Sequence, residues 1–72
     1  MELLPVESSN IAKVGYDEPT KTLGIQFHSG KTYTYRPVTQ ALYNKLINAP
    51  SIGGYFIQHI KNNKEIDYEQ ID

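Results

Sequence analysis

The sequence predicts an α+β fold in which a three-stranded antiparallel meander is followed by two α-helices packed on one face of the sheet. Apolar and polar residues alternate in the first half of the chain, and apolar residues recur with a helical period in the second half. The 72 residues include no cysteine, so one small domain must be held together by packing alone. No apolar run is long enough to span a membrane, and we expect a cytoplasmic protein.

Three segments have the two-residue period of half-buried strands. Their apolar positions are Ala12, Val14 and Tyr16 in the first segment and Leu23, Ile25 and Phe27 in the second, and the third segment runs from Thr32 to Arg36. Turn-forming residues separate the segments, with a proline in the first turn and a glycine at the end of the second. Consecutive strands joined by such short turns indicate an antiparallel meander.

The second turn, His28-Ser29-Gly30, decides which way Tyr33 and Tyr35 point. If all three residues form the loop, with Gly30 in the left-handed conformation, both tyrosines share the apolar face. If only Ser29-Gly30 forms the loop, the register changes by one residue and the two tyrosines become exposed. We favour the three-residue loop because it leaves a consistently polar opposite face, made of Thr22, Gly24, Gln26, Thr32, Thr34 and Arg36.

After Pro37 the apolar residues follow a helical period. Thr39 is the expected N-cap of the first helix, and Pro50 ends it. Its apolar half consists of Val38, Leu42, Tyr43, Leu46, Ile47 and Ala49. A second helix is expected to start at Ser51 and to stop at Asn62-Asn63, and its apolar side includes Ile52, Tyr55, Phe56, His59 and Ile60. Both helices need an apolar partner, which the sheet supplies.

The net charge of −1 conceals three segments of opposite sign. Residues 1–18 carry −3 and residues 65–72 carry −4. Residues 19–64 contain no Asp or Glu and carry +6, from Lys21, Lys31, Arg36, Lys45, Lys61 and Lys64. The small total charge therefore does not exclude a nucleic-acid partner.

Several motifs resemble those of the KTSC domain, a small module named for its place at the C-terminus of some lysyl-tRNA synthetases. They are Ser8-Ser9-x-Ile11, Gly15-Tyr16, Leu23-x-Ile25-x-Phe27-x-Ser29-Gly30, Tyr33-Thr34-Tyr35, and Ser51-x-Gly53-x-Tyr55-Phe56 with Ile60. The resemblance implies a stand-alone bacterial or phage member, with a KTSC-like domain in residues 1–64 and an acidic tail in residues 65–72. The synthetase context suggests RNA binding, although the family's function is not established. Many members continue with arginines and aromatics where this chain has Glu65 to Glu69.

The first candidate site combines the pair Tyr33 and Tyr35 with basic neighbours. Single-strand binding surfaces use aromatic rings for base stacking and cations for phosphates. Lys31, Arg36, Lys61 and Lys64 are the expected phosphate contacts. The alternative interpretation, which the favoured register supports, is that both tyrosines belong to the core.

A second candidate is the segment Ser51-Ile52-Gly53-Gly54 at the start of the second helix. Free backbone N–H groups there attract anions, and glycines would allow a phosphate to approach closely. Ser51, Gly53 and Gly54 are the candidate residues. The alternative is that the glycines permit close helix packing.

We expect no catalytic site, metal or cofactor. His28 and His59 are the only histidines, and neither has a cysteine, carboxylate or second histidine at ligand spacing. His28 is expected in a hairpin loop, and His59 on the apolar side of its helix. An acid to orient either imidazole would have to come from one end of the chain.

The leading functional hypothesis is a small non-catalytic binding module whose ligand is RNA or single-stranded nucleic acid. The alternative is a protein–protein interaction module, using Ile57 and the acidic tail, with no nucleic-acid ligand. The tail itself has four possible roles: an added edge strand, a partner-binding segment, a screen over the basic centre, or a disordered solvated end.

Overall fold

The computed structural model describes all 72 residues, which form one five-stranded antiparallel sheet with two helices. The strands are β1 (Leu4–Pro5), β2 (Ile11–Asp17), β3 (Thr22–Phe27), β4 (Thr32–Arg36) and β5 (Asp67–Gln70), and they lie in the sheet in chain order. The helices are α1 (Gln40–Ile47) and α2 (Ile52–Phe56), and α2 continues into a π-helical turn (Ile57–Lys61). Both helices fall between β4 and β5 in the chain. None of them has the length and apolar character needed to cross a membrane.

The α+β class is confirmed, but the predicted three strands are an undercount. The three predicted strands form the centre of the sheet, and β1 and β5 are added at its two edges. β1 has only two residues, one of them a proline, so it is too short to show an alternating pattern. β5 lies in the segment expected to be an acidic tail, and all four of its residues are exposed. Of the roles considered for residues 65–72, the edge strand is the one observed.

The hairpin between β3 and β4 has the three-residue loop that the sequence favoured. Ile25 pairs with Tyr33 and Leu23 pairs with Tyr35. The Phe27 N–H donates to the Lys31 carbonyl oxygen at 2.9 Å, and Gly30 has a φ of +96°. A residue other than glycine is strained at that φ. Both tyrosines therefore point to the same face as the apolar residues of β3.

A bulge in β2 changes which of its residues reach the core. The β2–β3 register shifts between Ile11 and Lys13, so Ile11 and Val14 both face the core although they are three residues apart. Ala12 is only partly buried. The bulge interrupts the simple alternation on which its predicted position rested.

The first helix begins as predicted and ends slightly earlier. The Thr39 hydroxyl accepts a hydrogen bond from the Leu42 N–H at 3.1 Å, which is the N-cap interaction. The helix ends at Ile47, so Ala49 lies outside it. The Tyr43 ring stacks on Tyr16 of β2 at a centroid distance of 4.8 Å, which joins α1 to the sheet.

The second helix departs from the α-helical projection after Phe56. The Asn62 N–H donates to the Ile57 carbonyl oxygen, five residues back, at 3.2 Å. Because a π turn contains more residues than an α turn, the residues after Phe56 rotate relative to an α-helix. Ile60 is buried, whereas His59 is exposed and its ring lies 4.2 Å from that of Tyr55. The predicted place of His59 on the apolar side was therefore wrong.

The two faces of the sheet are covered differently. The helices cover the apolar face and enclose a core of Ile11, Val14, Leu23, Ile25, Tyr35, Val38, Leu46, Phe56 and Ile60. On the other face, the N-terminal residues lie over the paired glycines Gly15 and Gly24. A Cβ on Gly15 would overlap the Glu2 carbonyl oxygen, and one on Gly24 would lie 2.7 Å from the Met1 sulfur. Only glycine allows this close approach.

Candidate nucleic-acid interface

A cavity of about 550 Å³ opens on the helix-covered side, between the end of the π-helical turn and strands β4 and β5. We call it the tyrosine cavity. Its lining residues are Phe27, Ser29, Lys31, Tyr33, Tyr35, Ile60, Lys61, Asn62, Ile66 and Tyr68. The volume lies within the range of ligand-binding pockets.

Three tyrosines line this cavity at different depths. Tyr35 is only 6% exposed, Tyr33 is half-buried, and Tyr68 is 70% exposed. Their ring centroids are mutually 6.2 to 6.3 Å apart, and Tyr35 lies directly opposite Tyr68 in the β4–β5 register. The cluster therefore extends from the core to the surface, and Tyr68 presents a free aromatic face at the cavity mouth.

The hydroxyl of Tyr35 differs from those of its neighbours. The Tyr33 hydroxyl donates to Gln70 Oε1 at 3.3 Å, whereas the Tyr35 hydroxyl makes no hydrogen bond within the protein. Every side-chain polar atom that is sealed from solvent has a hydrogen-bond partner. Because the Tyr35 hydroxyl has no such partner, it is not sealed from solvent, and it is open to the cavity that its side chain lines. Burial, followed by nearby Tyr33 and Tyr68, raises the pKa of Tyr35 to about 12. At neutral pH it is therefore a protonated donor.

Two lysines complete the tyrosine cavity, and no Asp or Glu lines it. Lys31 follows Gly30 at the end of the hairpin loop, and Lys61 is the last residue of the π-helical turn. Both are exposed. Two cations beside aromatic rings, without a carboxylate, make this cavity favourable for an anionic ligand that also has a flat ring.

The structure does not bring Arg36 and Lys64 to the same cavity. Arg36 alternates with Tyr35 along β4, so it lies on the opposite face of the sheet, across from Asp67 of β5. There it lines a separate cavity with Thr34 and Glu69. Lys64 lies in the turn after the π-helical segment and lines neither cavity on the helix-covered side. Of the four predicted phosphate contacts, the structure therefore brings only Lys31 and Lys61 to the tyrosine cavity.

The predicted anion-binding segment, Ser51 to Gly54, forms the start of α2. The Gly54 N–H donates to the Ser51 hydroxyl at 3.1 Å, so this N–H is already used by the helix cap. Gly53 is buried, and a Cβ there would lie 3.4 Å from Ser8 Oγ. Gly53 thus packs beside the segment before β2, where an added Cβ would be in ordinary van der Waals contact.

A second cavity of about 410 Å³ adjoins the tyrosine cavity, and we call it the polar cavity. It is lined by Ser9, Asn10, Ile11, Phe27, His28, Ser29, Gly53, Phe56, Ile57 and Lys61. Three of these residues, Phe27, Ser29 and Lys61, also line the tyrosine cavity. No carboxylate lines the polar cavity either. The two cavities therefore form one groove without acidic side chains.

The histidines belong to no metal-binding cluster. His28 Nε2 lies 2.8 Å from the Ser8 carbonyl oxygen, which holds the ring against the segment before β2. No group of three His, Cys, Asp or Glu side chains is placed to hold a metal ion. His28 thus contributes to the wall of the polar cavity through its position.

Tyr68 and Ile66 are the lining residues that sequence reasoning missed. Both lie in the segment expected to be an acidic tail. The available signal was the alternation of Ile66 and Tyr68 with charged residues, which fits a strand with one face toward the helices. The acidic residues Asp67 and Glu69 conceal that signal in the composition.

Comparison with known proteins shows which family the chain is similar to. The family model described as KTSC domain matches residues 7–63. A lysine–tRNA ligase from Trichormus variabilis is 41% identical over 96% of this chain, and one from Nostoc punctiforme is 39% identical over the same share. The chain spans only 12% of the length of these ligases. An uncharacterised protein from Stutzerimonas stutzeri is 33% identical, with 85% of this chain and 86% of that protein covered.

The fold also matches a solved structure. A KTSC domain protein from Yersinia pestis superposes with a TM-score of 0.89 and is 30% identical. The match covers 99% of this chain and 97% of that one. The five-stranded sheet with its two helices is therefore shared across nearly the full length of both chains.

Proposed function

This chain belongs to the KTSC domain family, and from that premise we propose that it is a non-catalytic module that binds single-stranded nucleic acid, with RNA as the preferred ligand. The observation that carries the proposal is the tyrosine cavity, where three tyrosine rings and two lysines come together without a carboxylate. Such a surface offers stacking for bases and cations for phosphates, the two requirements of single-strand binding.

Tyr68 and the two lysines have separate roles in this proposal. Stacking of a base on an aromatic ring contributes about 1–3 kcal/mol, and Tyr68 has the exposed ring that this needs. Lys31 and Lys61 would contact phosphates on either side of the stacked base. The names of the lysine–tRNA ligases that share this domain support RNA as the ligand.

The distribution of charge supports the same proposal. Asp67 and Glu69 lie on the opposite face of β5 from Tyr68, because side chains alternate along a strand. Glu2 and Glu18 line another cavity, near β2 and α1. The near-neutral total charge is thus compatible with a locally basic groove.

The salt dependence of binding tests the proposal. Fluorescence anisotropy with a labelled single-stranded RNA of mixed sequence would give the dissociation constant at several salt concentrations. Two phosphate contacts predict a log–log slope of about −1.4, or about a sevenfold loss of affinity between 50 and 200 mM salt. DNA of the same sequence, measured in parallel, tests the preference for RNA.

Paired lysine variants locate the contact. The Lys31→Ala/Lys61→Ala double variant should weaken binding and bring the salt slope close to zero. The Lys13→Ala/Lys45→Ala variant removes the same charge at exposed positions outside the groove and should retain the wild-type slope. If both double variants lose affinity equally, attraction is a property of total charge and the groove is not the site.

Absence of RNA binding at low salt would overturn the proposal. The protein–protein interaction module would then be the remaining hypothesis, with Ile57 at its centre. Ile57 is 40% exposed and lines the polar cavity, so an apolar partner side chain would have access to it.

A further inference from the structure

We infer that an unpaired base enters the tyrosine cavity and accepts a hydrogen bond from the Tyr35 hydroxyl, while the phosphates of its strand remain at the cavity mouth with Lys31 and Lys61. This inference rests on the proposed function and adds to it how a nucleotide is held. It follows from the depth of the lining residues, from the free Tyr35 hydroxyl and from the packing of the tyrosine rings.

The lining of the tyrosine cavity changes with depth. Tyr35 and Ile60 are buried, so they form the cavity floor. Tyr68, Lys31 and Lys61 are exposed, so they lie at the mouth. The walls between floor and mouth consist of half-buried apolar side chains, which are Phe27, Tyr33 and Ile66. An apolar interior bordered by cations suits a ligand that has a flat uncharged ring and a phosphate.

The base, and not the phosphate, is the part of a nucleotide that suits the floor. Moving a charged group away from water is costly unless an opposite charge accompanies it. Both lysines are exposed at the mouth, and the two floor residues, Tyr35 and Ile60, carry no charge at neutral pH. A base is uncharged and flat, so its burial against apolar and aromatic side chains is favourable. The phosphates are therefore expected to remain at the mouth.

The Tyr35 hydroxyl supplies the hydrogen bond that an enclosed base needs. Tyr35 is more than nine-tenths buried, yet its hydroxyl has no partner within the protein and is open to the cavity. Its ring is held in place by the Phe56 ring, which packs edge-on at a centroid distance of 5.0 Å. Every base has acceptor atoms on its edges, so the hydroxyl can donate to any of them. The contact therefore favours an unpaired base and does not depend on which base it is.

The tyrosine rings leave no space for a base between them. The ring centroids of Tyr33, Tyr35 and Tyr68 are mutually 6.2 to 6.3 Å apart. At this distance aromatic rings are in direct contact with one another. The base therefore lies beside the three rings, in the open part of the cavity, where the Tyr35 hydroxyl is accessible.

The test compares the wild-type chain with Tyr35→Phe, using labelled oligo-uridine at low salt and fluorescence anisotropy. This substitution keeps the ring and removes a hydroxyl that makes no hydrogen bond within the protein, so the fold should be retained, which circular dichroism checks. Loss of one hydrogen bond to the base predicts about 2- to 10-fold weaker binding. Oligo-cytidine should lose affinity by a similar factor, because its bases also have acceptor atoms on their edges.

Two controls separate a base contact from other effects. Tyr55→Phe removes the hydroxyl of a half-buried tyrosine on α2 that lines neither cavity, so it should leave oligo-uridine affinity unchanged. Inorganic polyphosphate is an anionic chain without bases. Its inhibition constant as a competitor of oligo-uridine should be the same for the wild type and Tyr35→Phe.

The outcomes distinguish this inference from the proposed function. If oligo-uridine binds with the expected salt slope and Tyr35→Phe binds it as tightly as the wild type, the inference fails and the proposed function stands. If Tyr35→Phe weakens polyphosphate as much as RNA, the hydroxyl contacts phosphate and the inference fails as well. If oligo-uridine does not bind the wild type at low salt, the proposed function fails and the inference fails with it.

Discussion

The two faces of the sheet receive neighbouring residues of the same strands and give them opposite environments. Tyr35 of β4 is nearly buried beneath the helices, whereas the adjacent Arg36 is exposed on the other side, opposite Asp67. The helix-covered face has a groove without carboxylates, and the other face carries Asp67, Glu69 and the N-terminal residues. Total charge therefore does not predict the charge of the surface that a ligand would contact, because strand alternation places the acidic side chains of β5 on the face away from the groove.

The largest expected effect lies at the base of the tyrosine cavity. Tyr35→Ala should lower the free energy of unfolding by about 3–5 kcal/mol, because it removes a buried aromatic ring. Half-buried Tyr33 should have an intermediate effect, and Tyr68→Ala should change stability by no more than about 0.5 kcal/mol. Urea denaturation of the three variants gives these values. A Tyr68 effect as large as that of Tyr35 would mean that the ring at the mouth is structural and is not free to stack on a ligand.

Alkaline pH should lower the free energy of unfolding through ionisation of Tyr35. Its pKa of about 12 lies above the usual value of 10.0, so the folded state favours the neutral hydroxyl. The stabilisation is fully present below pH 10 and is lost as the pH rises from 10 to about 12, by at most about 2.7 kcal/mol for a two-unit difference. Unfolding free energies of the wild type and Tyr35→Phe across this range isolate the effect, since other titrating groups are common to both. Parallel curves would show that the Tyr35 hydroxyl is well hydrated.

Substitution of the paired glycines tests how closely the N-terminal residues pack on the opposite face of the sheet. Gly15→Ala should cost about 2 kcal/mol, because the added methyl overlaps backbone atoms of Glu2 that cannot move without displacing the N-terminal segment. Gly24→Ala should cost less, since it meets the flexible side chains of Met1 and Leu3. Thermal unfolding compares the two. Neither variant should alter RNA affinity at a temperature where both are folded, and a loss of affinity would connect the two faces.

The smallest expected effect is the change in RNA affinity when the two carboxylates of β5 are removed. Because Asp67 and Glu69 lie on the face away from Tyr68, the Asp67→Asn/Glu69→Gln variant should change RNA affinity by less than about threefold, as expected of exposed charges. Anisotropy at low salt, where screening is weakest, is the sensitive condition. A gain in affinity much larger than threefold would support the alternative that the acidic segment screens the basic centre.

The central hairpin and first helix were predictable because local rules determine them. The three-residue loop with Gly30 and the Thr39 cap each rest on residues adjacent in sequence. The bulge in β2 and the π-helical turn were not predictable, since each inserts a residue that a fixed period cannot represent. Ile11 at the bulge is buried, and His59 in the π-helical turn is exposed.

Only part of the candidate site was predictable, for a related reason. Lys31, Tyr33 and Tyr35 come from one hairpin whose register the turn determines, and Lys61 was identified from the charge pattern. Tyr68 and Ile66 depend on the pairing of β5 with β4, a contact between distant parts of the chain. The same hairpin register also predicted the face of the sheet on which Arg36 lies. Its position opposite Asp67 was not predictable, because it depends on the pairing of β5 with β4.

The pairing of β5 with β4 has a consequence for the dynamics of the protein. β5 is an edge strand whose residues are all exposed, so its backbone hydrogen bonds should open more readily than those of the central strands. A ligand that contacts Tyr68 binds only when this strand is docked, and so stabilises the docked state by mass action. We therefore expect bound RNA to slow amide hydrogen exchange in β5. In the central strands β2 and β3, where we expect global unfolding to limit exchange, the exchange rate should change only as much as total stability does.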